Sequence, residues 1–204
     1  MWRLAAVGAV VLAACYPGGA ETLTDFDSVT TQHDPAANFA VLQTYALPDS
    51  VMELPVSSTP VLDHSNDAEI VARVAAHLDA LGWTRVDPST SAADVDVVVY
   101  ASLGPSLLYV SYPFYDGFPG WPGFAGYDST WGVFYPWARP GQHVLIDGGS
   151  VRIDMLDARN PDTANRLLRA LWSVAVNGLP AGNTSNLQRI DQGIDQAFAQ
   201  SQYL

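Results

Sequence analysis

The only cysteine of the chain, Cys15, stands at the end of an apolar run, and this decides what the other residues must do to fold. A lone cysteine closes no intramolecular bridge, so a packed apolar core has to hold the domain together unaided. The composition is sufficient: 49% of residues are hydrophobic and only 15% charged, enough apolar surface to offset the entropy of ordering. Ahead of Cys15, Arg3 is the sole positive charge, Leu4–Leu12 is apolar apart from Gly8, and Ala13 and Ala14 are small. That order is the order of an export leader. The run is far shorter than the roughly 20 residues a membrane-spanning helix needs, so residues 1–14 are expected to be removed.

Leu12-Ala13-Ala14-Cys15 looks like a bacterial lipobox, in which the leader is cut just before a cysteine whose sulfur is then acylated. A thioether-linked diacylglycerol and an N-acyl chain on Cys15 would together attach the protein stably to a membrane. The competing reading is an ordinary signal peptide with a chance cysteine. Residues 15–24 carry Pro17, Gly18 and Gly19 without apolar periodicity and read as a tether, leaving 25–204 as one domain. Tyr16, rather than Asp, follows Cys15, which points to the outer membrane, facing the periplasm.

All nine basic residues are arginine. Without lysine there is no Schiff base, no phosphate-loop lysine and no Ser-Lys nucleophile pair. The net charge of −12, which becomes −13 once Arg3 leaves, repels nucleic acid and anionic headgroups, so membrane contact is expected to rest on the acyl chains.

Along the domain, Phe26–His33 predicts a strand that stops at Asp34-Pro35, and Leu42–Leu47 a second one. Asn66 and Glu69 form a capping-box pattern ahead of Ile70, Val71, Val74, Ala75, Leu78 and Leu81 at helical spacing, with Gly82 as the stop. Glu69 and Arg73 are spaced to pair, and His77 reads as a solvated surface residue. Asp94–Tyr100 predicts a strand half-exposed at its start and buried later. Val144–Ile146 is a short strand. Val151, Ile153 and Met155 alternate with Arg152 and Asp154 as in a half-buried strand, and Leu168–Val176 returns beside it. A second capping pattern, Ser185 with Gln188, precedes a helix bearing Leu187, Ile190, Ile194, Ala197 and Phe198 on one face. The pattern predicts an α+β domain, an antiparallel or mixed sheet with both helices on one face.

His33-Asp34-Pro35-Ala36-Ala37-Asn38-Phe39 with Thr44-Tyr45-Ala46-Leu47 resembles the opening signature of the bacterial lipoproteins that carry domain of unknown function 4136. Ala93-Asp94-Val95-Asp96-Val97 and Tyr100 fit the same family, as does Gly149–Ala158 followed by Leu171-Trp172-Ser173-Val174-Ala175. The segment Arg159–Ala170 is longer than the turn such a family would place there. The resemblance implies fold and location and carries over no catalytic or binding residue.

Tyr109–Trp137 holds twelve of the 22 aromatic residues, interleaved with glycine and proline, and reads as a long loop. Its rings could complete a core over the sheet, present a binding surface through Tyr115, Trp121, Tyr127, Trp131 and Trp137 to an envelope glycan, peptide or protein partner, or insert at the membrane interface. Asp94 and Asp96 are the one candidate acid/base pair for a hydrolase, and both are expected to stay ionised with ordinary pKa values. The histidines lack metal-ligand spacing, and the Asp157, Asn160, Asp162, Asn165 group reads as turn capping rather than a calcium loop. No cofactor and no metal is expected. The function expected is that of a membrane-anchored envelope lipoprotein without catalytic activity.

Overall fold

A computed structural model describes residues 28–53, 63–87, 93–102, 106–109, 114–115, 127, 130–138, 143–146, 149–178 and 187–204, with the backbone alone at 102, 106–109, 114–115 and 143–146. Its strands are β1 (Ser28–His33), β2 (Thr44–Ala46), β3 (Met52–Glu53), β4 (Thr84–Val86), β5 (Val95–Ser102), β6 (Ser106–Tyr109), β7 (Phe114–Tyr115), β8 (Gly132–Phe134), β9 (His143–Ile146), β10 (Ser150–Asp157) and β11 (Leu167–Asn177). The helices are α1 (Asp67–Ala80) and α2 (Leu187–Gln200). Among the described residues no helix is long and apolar enough to cross a membrane.

Among the described residues nine strands form one sheet in the order β4-β2-β5-β10-β11-β8-β7, with β3 also on β5 and β1 also on β11. The sheet is mixed: β10 runs antiparallel to both β5 and β11, whereas β2 and β3 run parallel to β5, and β8 runs parallel to β11. The α+β expectation holds, with both helices on one face. Val95, Val97 and Val99 of β5, Ile153 and Met155 of β10, and Trp172 and Val174 of β11 meet Val71, Val74 and Leu78 of α1 and Ile194 and Ala197 of α2 in one core.

The opposite face is not open to water. Alternate residues of the same strands, Val98, Tyr100, Leu156, Leu168 and Ala170, meet Val133 and Tyr135 in a second core, against which Tyr127, Trp131 and Trp137 pack. This second layer corrects two strand readings. Although β10 alternates in sequence, it is covered on both sides, and Asp154 is fully buried. Likewise β5 is buried from its start, Asp96 included. The stretch Tyr109–Trp137 is also not one uninterrupted loop, because β7 and β8 pair within it and β8 docks on Leu167–Arg169.

Local chemistry departs from expectation at α1. Asn66 makes no capping bond; the Asp63 carboxylate accepts from Ser65 N, closing the helical turn His64–Asn66, and Asp67 accepts from Val51 N at 2.9 Å. Leu81 is 39% exposed rather than packed, while Gly82 takes φ +85° and ends the helix as expected. Arg73 pairs across the helices with Asp195 instead of with Glu69. His77 is half-buried and engaged rather than a free surface residue: its Nε2 lies 2.7 Å from Asp195 Oδ1 and its ring stacks on Phe198 at 4.4 Å. The connection between β10 and β11 runs only to Arg166, and its oxygens are spent on turns, with Asp157 accepting from Arg159 N and Asn160 N and Asp162 from Asn165 N. Ser185 lies outside the described residues.

Candidate functional site

The polar groups able to do chemistry collect beneath the second layer. Because side chains alternate along a strand, Asp96, Arg152, Asp154 and Ser173 share the face opposite the helices. Register then sets their neighbours: Asp154 lies opposite Ser173 on β11 and Val98 on β5, and Arg152 lies opposite Tyr100. The Asp154 carboxylate accepts from Tyr135 Oη at 2.7 Å, from Ser173 Oγ, and from Arg152 Nε at 3.0 and 3.1 Å. The Arg152 guanidinium also sits over the Tyr135 ring, 4.9 Å from its centroid. Burial disfavours the charged guanidinium, but the neighbouring Asp154 charge outweighs it and holds Arg152 firmly protonated. Burial raises the Tyr135 phenol well above its ordinary range, so it donates and does not ionise. A buried charge pair whose bonding capacity is taken up in this way is a structural clamp.

Asp94 and Asp96, two residues apart, have opposite fates. Asp94 precedes β5, and its Oδ2 accepts from Gln43 N at 2.8 Å and Thr44 N at 3.0 Å, pinning β2 to the start of β5. Burial pushes its pKa up, but those backbone bonds and the Arg159 charge prevail, leaving it below the usual carboxylate range. Asp96 is 4% exposed; burial raises its pKa to about 7, opposed only by a hydrogen bond with Tyr127. Tyr127 is itself pushed up to about 12 by burial and by the negative charges of Asp96 and Asp157. The expectation of ordinary values for both carboxylates is therefore overturned, since the second layer desolvates one and the Gln43 and Thr44 backbone amides stabilise the other. The pair gives one carboxyl that can hold a proton near neutral pH, capped by a phenol, and one that is spent on backbone.

Of the ring candidates, Tyr127, Trp131 and Trp137 are half-buried on the second core, with Tyr127 edge-on to Trp131 at 4.9 Å and Tyr135 edge-on to Trp137 at 5.7 Å. Tyr115 is in β7, opposite Val133, and Trp121 lies outside the described residues. Cys15 does too. Among the described residues no group of three His, Cys, Asp or Glu side chains could hold a metal. Sequence reasoning missed Tyr135 and Ser173; the available signal was the Arg152–Asp154 pair, because charges inside a central strand require buried partners.

The family model described as "Domain of unknown function (DUF4136)" matches residues 29–201. A DUF4136 family protein from Bacteroides thetaiotaomicron, solved at 1.60 Å, shares the fold at 24% identity and TM-score 0.62, over 87% of this chain and 97% of its own. Weaker likenesses are a PDZ domain protein from Parabacteroides distasonis, at 14% identity and TM-score 0.43 over 87% of this chain and 36% of its own, and the PelC dodecamer from Paraburkholderia phytofirmans, at 13% identity and TM-score 0.39 over 85% and 95%. No curated protein matches the chain.

Proposed function

The chain belongs to the DUF4136 family of domains of unknown function, and on that premise we propose that it is a membrane-anchored envelope lipoprotein whose domain has a structural or interaction role without catalysis. The observation that carries the reading is the sequence Leu12-Ala13-Ala14-Cys15 behind a short apolar run. The anchor is the acylated Cys15, and Tyr16 favours the outer membrane with the domain in the periplasm. The non-catalytic part is supported by how the polar groups are used: Asp154, Arg152, Tyr135 and Ser173 satisfy one another, and Asp94 holds β2.

The test is Cys15→Ser in the native cell. Loss of fatty-acid labelling with accumulation of the unprocessed precursor is expected; maturation and labelling as in wild type would remove the reading.

A second reading, a binding module for envelope glycan or peptide, is favoured by the half-buried rings of Trp131 and Trp137 at the outside of the second layer. Tryptophan quenching by peptidoglycan fragments that is lost in Trp131→Ala and Trp137→Ala would establish it. A hydrolase reading rests on Asp96 alone, and turnover of such fragments abolished in Asp96→Asn would be needed to sustain it.

A further inference from the structure

One end of the sheet is a row of polar positions across four strands. Ser28 of β1 is in register with Asn177 of β11, and Ser150 of β10 with Ser102 of β5. Ser150 Oγ donates to Asn177 Oδ1 at 2.9 Å, and Asn177 Nδ2 to Ser28 Oγ at 3.4 Å, joining the row. Two features share this end. The first is the entry of the chain from Cys15, thirteen residue steps before Ser28, a covalent reach of at most roughly 45 Å.

The second is a ribbon. In the chain β6 follows the Ser102 end of β5 and β9 precedes the Ser150 end of β10, and the two form a separate antiparallel pair: Ser106 opposite Ile146, Leu107 opposite Leu145, Leu108 opposite Val144 and Tyr109 opposite His143. Register partners share a face and successive positions alternate faces. One face therefore carries the positions of Ser106, Ile146, Leu108 and Val144, and the other those of Leu107, Leu145, Tyr109 and His143. Both are mainly apolar, and neither includes Asp, Glu, Lys or Arg. A sheet with one face in water alternates instead, and a lone two-stranded ribbon is marginal in water. Among the described residues, the rings of Tyr127, Trp131, Tyr135 and Trp137 are engaged on the second core of the main sheet.

We propose that the β6–β9 ribbon seats in the headgroup region of the bilayer to which Cys15 tethers the chain. This rests on the lipid-anchor reading. The tether enters the fold at the end from which the ribbon extends, and the ribbon is uncharged in a chain of net charge −12, so it can approach a zwitterionic surface without bringing further negative charge to it. Tyr109, in register with His143 at the end of the ribbon remote from the sheet, suits the interface, where tyrosine concentrates.

The test couples the chain from Cys15 onward, which includes every residue of the described fold, through its single thiol to a maleimide-headgroup lipid in phosphatidylcholine vesicles. Chemical coupling supplies the anchor whether or not the cell acylates Cys15, so failure here is distinct from failure of the labelling experiment. Amide exchange at 106–109 and 143–146 is expected to slow about tenfold or more on tethering, relative to the uncoupled chain with the same vesicles. Unchanged exchange, with the ribbon already protected in the uncoupled chain or remaining fast when tethered, would overturn the proposal. Protection that instead tracks protein concentration without vesicles would assign the ribbon to a second copy and overturn it equally. In Leu108→Asp/Val144→Asp the vesicle-dependent protection should vanish while the near-ultraviolet signal of the buried Trp172 persists; a folded variant that keeps it would also contradict the proposal.

Discussion

Tyr135 Oη donates a 2.7 Å hydrogen bond to the Asp154 carboxylate, and both side chains are buried. That contact ties the aromatic segment to the central strand of the sheet. It also explains why a charged pair can lie in the middle of β10, where the alternation suggests a wet face.

Removing the Tyr135 hydroxyl deprives a buried carboxylate of a donor without changing the shape of the core. Tyr135→Phe is expected to lower unfolding free energy by about 1–3 kcal/mol in urea titration. Asp154→Ala is expected to cost more, about 3–5 kcal/mol, because it strands Arg152 in the second layer. Equal losses would show that the pair is not a buried clamp.

Asp96 should make stability depend on pH in the direction opposite to a salt-bridged carboxylate. Its carboxyl titrates near 7 when folded against 3.8 as the ordinary value, so between those limits the folded chain holds a proton that the unfolded chain has released. Stability therefore falls as pH rises from about 4 to about 7 and levels off above, each pKa unit being worth about 1.4 kcal/mol. Asp96→Asn should flatten this slope, and Tyr127→Phe, by removing the bond that favours the carboxylate, should carry it to higher pH. Asp94 acts with the opposite sign: its lowered pKa contributes stability above the ordinary carboxylate range that is lost as pH falls below it. Denaturant midpoints measured across pH 3–8 for the three proteins separate these contributions.

Gly193 lies in α2 where a Cβ would fall 2.5 Å from Val176 Cγ1 and 2.9 Å from Cγ2, both on a fully packed side chain. Gly193→Ala gains helix propensity of up to about 1 kcal/mol but must displace a β-branched residue, so a net loss of about 1–2 kcal/mol is expected. In a Val176→Ala background the same substitution should be neutral or stabilising. A double-mutant cycle with no coupling would contradict this packing.

Much of the fold was legible because it obeys short-range rules. β10 and β11 were visible from period-two alternation and the Trp172 strand, α2 from its apolar stripe, and the end of α1 from Gly82. What escaped depends on distant partners. His77 looked solvated because Asp195 and Phe198, which engage it, lie over a hundred residues away. β3 and β7 have two residues each, too few to show a period, and β8 exists because Leu167–Arg169 offers it an edge. The pKa contrast between Asp94 and Asp96 was hidden for the same reason: neither the Gln43 and Thr44 amides nor the covering Tyr127 is adjacent in sequence.

The central claim is that Cys15 becomes the acylated first residue of the mature protein. Mass spectrometry of the amino-terminal peptide from protein extracted from the outer membrane tests it most directly. The account predicts a peptide that begins at Cys15 and carries a thioether-linked diacylglycerol and an amide-linked acyl chain. A peptide that begins elsewhere, or one whose Cys15 sulfur is unmodified, would contradict it.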